Sequence, residues 1–105
     1  MRVEYEFPLN ERGDFGRVRI VRAGKTVVDY VVQYEALIDG VYRPIIRCDG
    51  SHGQPHCDIL NWEGATIEKR WAPVGTTANT ALTEAIRDIA SNWPIYLDDY
   101  LQRRP

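Results

Sequence analysis

The stretch from Thr26 to Ile38 constrains the fold more than any other part of the chain. Val28, Tyr30, Val32, Tyr34, Ala36 and Ile38 occupy its even positions, while Asp29, Gln33 and Glu35 stand at odd ones. Successive side chains of a strand point to opposite faces, so this period of two predicts a long strand. Its even face belongs to a core and its odd face to water or a ligand. Such a strand needs partners on its edges and a cover over its apolar face.

The flanking sequence supplies both. Upstream, Val3, Tyr5 and Phe7 alternate with Arg2, Glu4 and Glu6 in a half-buried strand that Pro8 ends. A turn-rich segment, Asn10 to Gly16, leads to a second strand from Arg17 to Arg22, and Ala23-Gly24-Lys25 makes the hairpin into the long strand. Downstream, Asp39-Gly40 is a tight-turn signal that returns Val41 to Cys48 antiparallel. Pro44 has no ladder donor and marks an edge or a bulge there. Further strands are expected from His56 to Asn61 and from Thr66 to Trp71.

After Pro73 the period changes. Ala78, Ala81, Leu82, Ala85, Ile86, Ile89, Ala90 and Trp93 recur at helical spacing, with Thr76 or Thr77 placed to cap the start. Asn92-Trp93-Pro94 is expected to end this helix, and Pro94 to open a second one running to about Arg103. The chain therefore reads as one α+β domain over residues 1–105. Its antiparallel meander of five or six strands has one face covered by two C-terminal helices.

Composition narrows the function classes. A chain of 105 residues that is 44% hydrophobic can bury a core without disulfides or metal. The net charge of −2 gives no help to nucleic-acid binding, and Arg17, Arg19, Arg22 and the Arg103–Arg104 pair read as solvated edges. No apolar run is long enough to cross a membrane, and Met1 to Gly13 lacks the apolar centre of a signal peptide. The expected setting is the cytoplasm, with Cys48 and Cys57 as reduced thiols and no membrane partner.

Chemistry concentrates in one segment, Arg47-Cys48-Asp49-Gly50-Ser51-His52-Gly53-Gln54-Pro55-His56-Cys57-Asp58. Strand parity puts Arg47 and Asp49 on one face of the fourth strand, and His56 and Asp58 on one face of the fifth. If the two strands form a hairpin, all four project from the solvent side, with His52 in the connecting loop and Gln33 and Glu35 on the same polar face. Cys48 and Cys57 point to the other side, which argues against a zinc site of Cys48, His52, His56 and Cys57.

Three readings of this cluster follow. Asp49, His52, His56 and Asp58 offer oxygen and imidazole ligands suited to Mn²⁺, Fe²⁺ or Zn²⁺. Without metal, His56 as base, His52 as acid, Asp58 as orienter and Arg47 as anion clamp would suit phosphodiester cleavage in RNA, with Asp49 equally able to pair with Arg47 and merely hold it. Alternatively, Arg47 with Asp49 and the polar loop are purely structural, and Asp58 locks the loop by accepting backbone N–H groups. Elsewhere, Gly13-Asp14-Phe15-Gly16 reads as a turn. Trp62, Trp71 and Trp93 read as core, and Tyr96 and Tyr100 as a possible partner contact.

The spacing R-x-D-x-x-H-G-x-x-H-x-D, together with the run to NWPIYLDDYL, resembles a small uncharacterised bacterial family of about this length. More distantly, a strand ending in R-x-D followed by a His pair is similar to small toxins of the TumE-like type from bacterial toxin–antitoxin modules. That resemblance implies Arg47, Asp49, His52 and His56 as matching positions, action on RNA or other nucleic acid, and an antitoxin as protein partner. The contrasting expectation is a non-enzymatic interaction module that pairs with a partner, or with its own copy, through a sheet edge or the terminal helix.

Overall fold

Each strand pairs with its neighbour in sequence. β1 (Arg2–Pro8), β2 (Phe15–Ala23), β3 (Thr26–Ile38), β4 (Val41–Asp49), β5 (His56–Leu60) and β6 (Thr66–Trp71) form one antiparallel sheet in the order β1-β2-β3-β4-β5-β6. Among the described residues a single α-helix, α1 (Ala78–Gln102), crosses β2, β3 and β4 on one face. The computed structural model describes residues 1–50 and 53–105.

The alternation in β3 does what its period demands. Tyr30, Val32, Tyr34 and Ala36 are almost wholly buried beneath α1, alongside Val18 of β2, Ile46 and Cys48 of β4 and Ile89 of the helix. Val28 departs from the expected even set, being 53% exposed while Val27 is buried. The cause is a bulge. Val21 pairs with Asp29 but Arg22 pairs with Val27, so Val28 is the extra residue and parity reverses there. A second bulge at Ile45 lies beside Pro44, where the missing ladder donor predicted an irregularity. Asp39 and Gly40, both at positive φ, close the β3–β4 hairpin.

The second helix is not present. α1 runs through Pro94 to Gln102, where the sequence predicted a break. A proline inside a helix forfeits a hydrogen bond and costs about 3 kcal/mol. Here the residues beyond it are anchored: Leu97 and Tyr100 are buried, and the Trp62 indole donates to the Tyr100 carbonyl at 2.8 Å while its ring stacks on Tyr100. Tertiary contacts on both sides of the proline outweigh the local defect. Tyr100 is thus core rather than a partner contact, and the Tyr96 hydroxyl donates to Asp88 on the same helix. At the start of α1 it is Thr77 that caps, accepting from the Thr80 N–H.

The cysteines are not free thiols. Cys48 and Cys57 are directly opposed on β4 and β5 and are joined by a disulfide. Parity placed both correctly on the helix side of the sheet. The expectation of reduced thiols rested on an assumed compartment, whereas the register makes the two side chains immediate neighbours.

Candidate functional site

The face of the sheet turned away from α1 carries two cross-strand rungs at the β4–β5–β6 end. Asp49 lies opposite His56, which lies opposite Trp71; in the next rung Arg47 lies opposite Asp58, which lies opposite Lys69. Strand parity therefore gathers Arg47, Asp49, His56 and Asp58 on one face, as the sequence predicts. His52 lies outside the described residues.

The centre of the cluster is His56, only 8% exposed. Its Nε2 stands 3.5 Å from a carboxylate oxygen of Asp49 and 3.5 Å from one of Asp58. On the other side of the ring, Nδ1 is 3.1 Å from the Gln54 carbonyl oxygen. A carbonyl only accepts, so Nδ1 carries the proton, and in the neutral ring Nε2 is a bare lone pair. That lone pair faces two acceptor groups at a separation too long for an ordinary hydrogen bond even if Nε2 were protonated. The Trp71 ring, 5.1 Å from the imidazole between centroids, covers its flank.

The two carboxylates are held differently. Asp49 ends β4, opposite Val31, and the next residue is pinned to β3. Gly50 donates its N–H to the Tyr30 carbonyl, and a Cβ at Gly50 would come within 2.8 Å of the Tyr30 ring, so only glycine fits this close approach. Burial, with the charges of Asp49 and Asp29, pushes the Tyr30 hydroxyl up to about 12, so it remains protonated beside the cluster. Asp58 is mostly buried, and its Oδ1 is out of solvent without a hydrogen bond, the nearest cation being Lys69 Nζ at 3.8 Å. Among the described residues no backbone N–H donates to it. An oxygen in that condition costs free energy unless something electropositive satisfies it.

Arg47 does not point at the histidine. Its Nε donates to Gln33 Oε1 at 2.6 Å, and Gln33 Nε2 donates to Glu35 at 2.8 Å, which makes a polar chain along the open face. Beside it lies a shallow depression of about 500 Å³ whose lining includes Arg17, Arg19, Arg47, Asp49 and Glu4. The arginines of β2 thus belong to the same surface as the His/Asp cluster, rather than to unrelated edges.

Lys69, Trp71 and the Gln54 carbonyl escape the sequence reading. The first two were within reach: Thr66 to Trp71 is an expected strand, and placing it beside β5 aligns Lys69 and Trp71 with Asp58 and His56. Trp71 is 56% exposed, so it is not core.

Asp49, His56 and Asp58 each offer a ligand atom, and all three atoms lie within 4.8 Å of one another. Atoms bound at about 2.0–2.2 Å to one ion at tetrahedral angles sit roughly 3.3–3.6 Å apart. Both His–Asp separations fall in that range. Metal-bound histidines ordinarily donate their second ring N–H to a carbonyl or carboxylate, which is the part Gln54 plays here.

No helix is long and apolar enough to cross a membrane among the described residues. Comparison with curated proteins and with solved structures returns no match. One family does match from end to end, and the chain belongs to it: the domain of unknown function DUF7718, over residues 1–105.

Proposed function

We propose that this domain binds a divalent cation of the Mn²⁺, Fe²⁺ or Zn²⁺ class through Asp49, His56 and Asp58. The observation that carries the reading is the His56 Nε2 facing two carboxylates at 3.5 Å, with Nδ1 directed at the Gln54 carbonyl. A cation there would meet the His56 Nε2 and the Asp58 oxygen that has no hydrogen bond, with Asp49 as a third ligand. Three protein ligands leave coordination positions open for water or substrate, the arrangement of a catalytic rather than a purely structural site.

The substrate class this favours is a phosphate ester. Arg17, Arg19 and Arg47 border the depression next to Asp49, on a chain that is otherwise acidic. The cation would polarise the ester and lower the pKa of a bound water, and the arginines would hold the anionic group. Toxin-like action on RNA in the cytoplasm, with an antitoxin as partner, is the macromolecular form of this reading. A partner-binding role for the sheet edge keeps one supporting observation, the exposure of Ile67 and Trp71 on β6.

Elemental analysis and Mn²⁺ titration of untagged protein test the cation. The expected result is one ion per chain, lost in Asp49→Asn and His56→Ala. Incubation with mixed RNA, with and without chelator, tests the substrate, and chelator-sensitive cleavage is expected. A metal-free protein that takes up no Mn²⁺ refutes the proposal.

A further inference from the structure

The disulfide is threaded through the candidate cation site. Cys48 precedes Asp49, Cys57 stands between His56 and Asp58, and the Cys48–Cys57 pair lies between the Asp49–His56 and Arg47–Asp58 rungs. β5 is only five residues long and pairs with β4 at four positions, the last being the Asp49–His56 rung at the loop end. Terminal rungs of a ladder fray first. On the β4 side Asp49 is secured through β3 and Gly50, whereas His56 is tied back to β4 by the cross-link one residue away.

The two sulfurs are not equally sheltered. Cys48 is fully buried, but Cys57 is part-exposed and lines a cavity of about 210 Å³ between β5, β6 and α1. Tyr30, Pro73, Ala81 and Ala85 form its apolar walls, and Arg70 and Glu84 also line it. Arg70, ion-paired with Glu68, lies directly opposite Cys57 in the ladder, and Asp88 lines the cavity as well. His56 and Trp71 line it too, so the cavity adjoins the His/Asp cluster.

We infer that the cavity beside Cys57 is a thiol–disulfide exchange site for a small dithiol, and that exchange there switches the Asp49/His56/Asp58 cation site from its ordered to its loosened state. The inference rests on the cation reading for its output, though not for the exchange itself. One thiolate of the dithiol attacks Cys57 Sγ, forming a mixed disulfide as the Cys48–Cys57 bond breaks and Cys48 Sγ leaves and takes up a proton. The second dithiol sulfur then displaces Cys57, which also ends as a thiol. The two electrons gained by the protein come from the dithiol, which closes to a cyclic disulfide. A thiol-reducing compartment would hold the site loosened, and an oxidising episode would assemble it.

Mn²⁺ is the suitable probe, because Zn²⁺ would bind the released thiols themselves. Folded protein is reduced with dithiothreitol, desalted under argon, and titrated with Mn²⁺ by electron paramagnetic resonance beside the oxidised form. Oxidised protein should bind at least about tenfold more tightly, with the difference reversed on reoxidation and absent from a Cys48→Ser/Cys57→Ser variant. The His56 ring resonance should also move on reduction without metal. Equal Mn²⁺ affinity with an unmoved His56 resonance would overturn the coupling. If neither form binds Mn²⁺, the cation reading fails, and the His56 resonance alone decides whether exchange reorganises the cluster. Glu84→Trp, at an exposed helix position lining the cavity, should slow native-state reduction several-fold at an unchanged unfolding rate. Reduction that keeps its rate in that variant, or that occurs only as fast as the protein unfolds, excludes the cavity as the entry route.

Discussion

Asp14 and Asp58 have opposite fates. Asp14, between β1 and β2, is 1% exposed and fully engaged: Arg12 donates through two nitrogens, the Tyr34 hydroxyl donates at 2.7 Å, and the Leu37 N–H donates at 3.0 Å. Asp58 on the open face has an oxygen out of solvent with no hydrogen bond, with the Lys69 ammonium at 3.8 Å and the His56 Nε2 for neighbours. The first group is finished by its own chain and holds the β1–β2 connection to β3. The second is met by its own chain only with longer ion contacts to Lys69 and His56. Burial alone does not mark function; what separates the two is whether the protein supplies the donors.

Removing Asp14 should produce the largest effect. Asp14→Ala leaves Arg12, the Tyr34 hydroxyl and the Leu37 N–H without their acceptor and should cost about 3–5 kcal/mol by denaturant unfolding. A variant that loses less than about 1 kcal/mol would erase the contrast with Asp58. Tyr34→Phe, which deletes one charge-assisted donor from the same carboxylate, should cost about 1.5–3 kcal/mol.

On the other carboxylate the expected loss is of ligand, not of fold. Asp58→Asn should weaken Mn²⁺ binding by about 10- to 100-fold in titrations, as seen when metal-site groups are altered elsewhere. Its unfolding free energy should change by less than about 1 kcal/mol, because no hydrogen bond to Oδ1 is broken. A large destabilisation with unchanged Mn²⁺ affinity would reverse the assignment.

Acid sharpens the contrast further. Burial alone would raise the Asp14 carboxyl, but the donors from Arg12, Tyr34 and Leu37 together outweigh it and hold the group below its ordinary value. A carboxyl depressed in the folded state stabilises the fold above its unfolded pKa of about 4, and that contribution disappears as pH falls through the folded value. Unfolding free energy should therefore drop on acidification below about pH 4, and Asp14→Asn should flatten that decline. A variant with the same acid slope as the parent would remove Asp14 as its source.

The sequence made the sheet legible because hydrophobic period is a property of each strand alone. The boundaries of Thr66–Trp71 agree with its pattern, and the face shared by Arg47, Asp49, His56 and Asp58 follows from parity. What parity does not carry is anything set between elements. The bulge at Val28 depends on how β2 meets β3, and the unbroken helix through Pro94 depends on Trp62 and Tyr100. The disulfide depends on register, and reading Cys48 and Cys57 by presumed compartment obscured it. Within the site, a side-chain motif search has no means of finding a backbone carbonyl such as that of Gln54.

A meander has a consequence for how the site comes into being. Because every strand lies beside its sequence neighbour, Asp49, Cys48, His56, Cys57 and Asp58 all belong to one hairpin. Closing so short a loop costs little chain entropy, and contacts of low sequence separation form early in folding. The ligand set is thus assembled by a local event and does not wait for the chain ends to meet. β3 and β6 then flank that hairpin, β3 holding Asp49 through Gly50 and β6 covering His56 with Trp71.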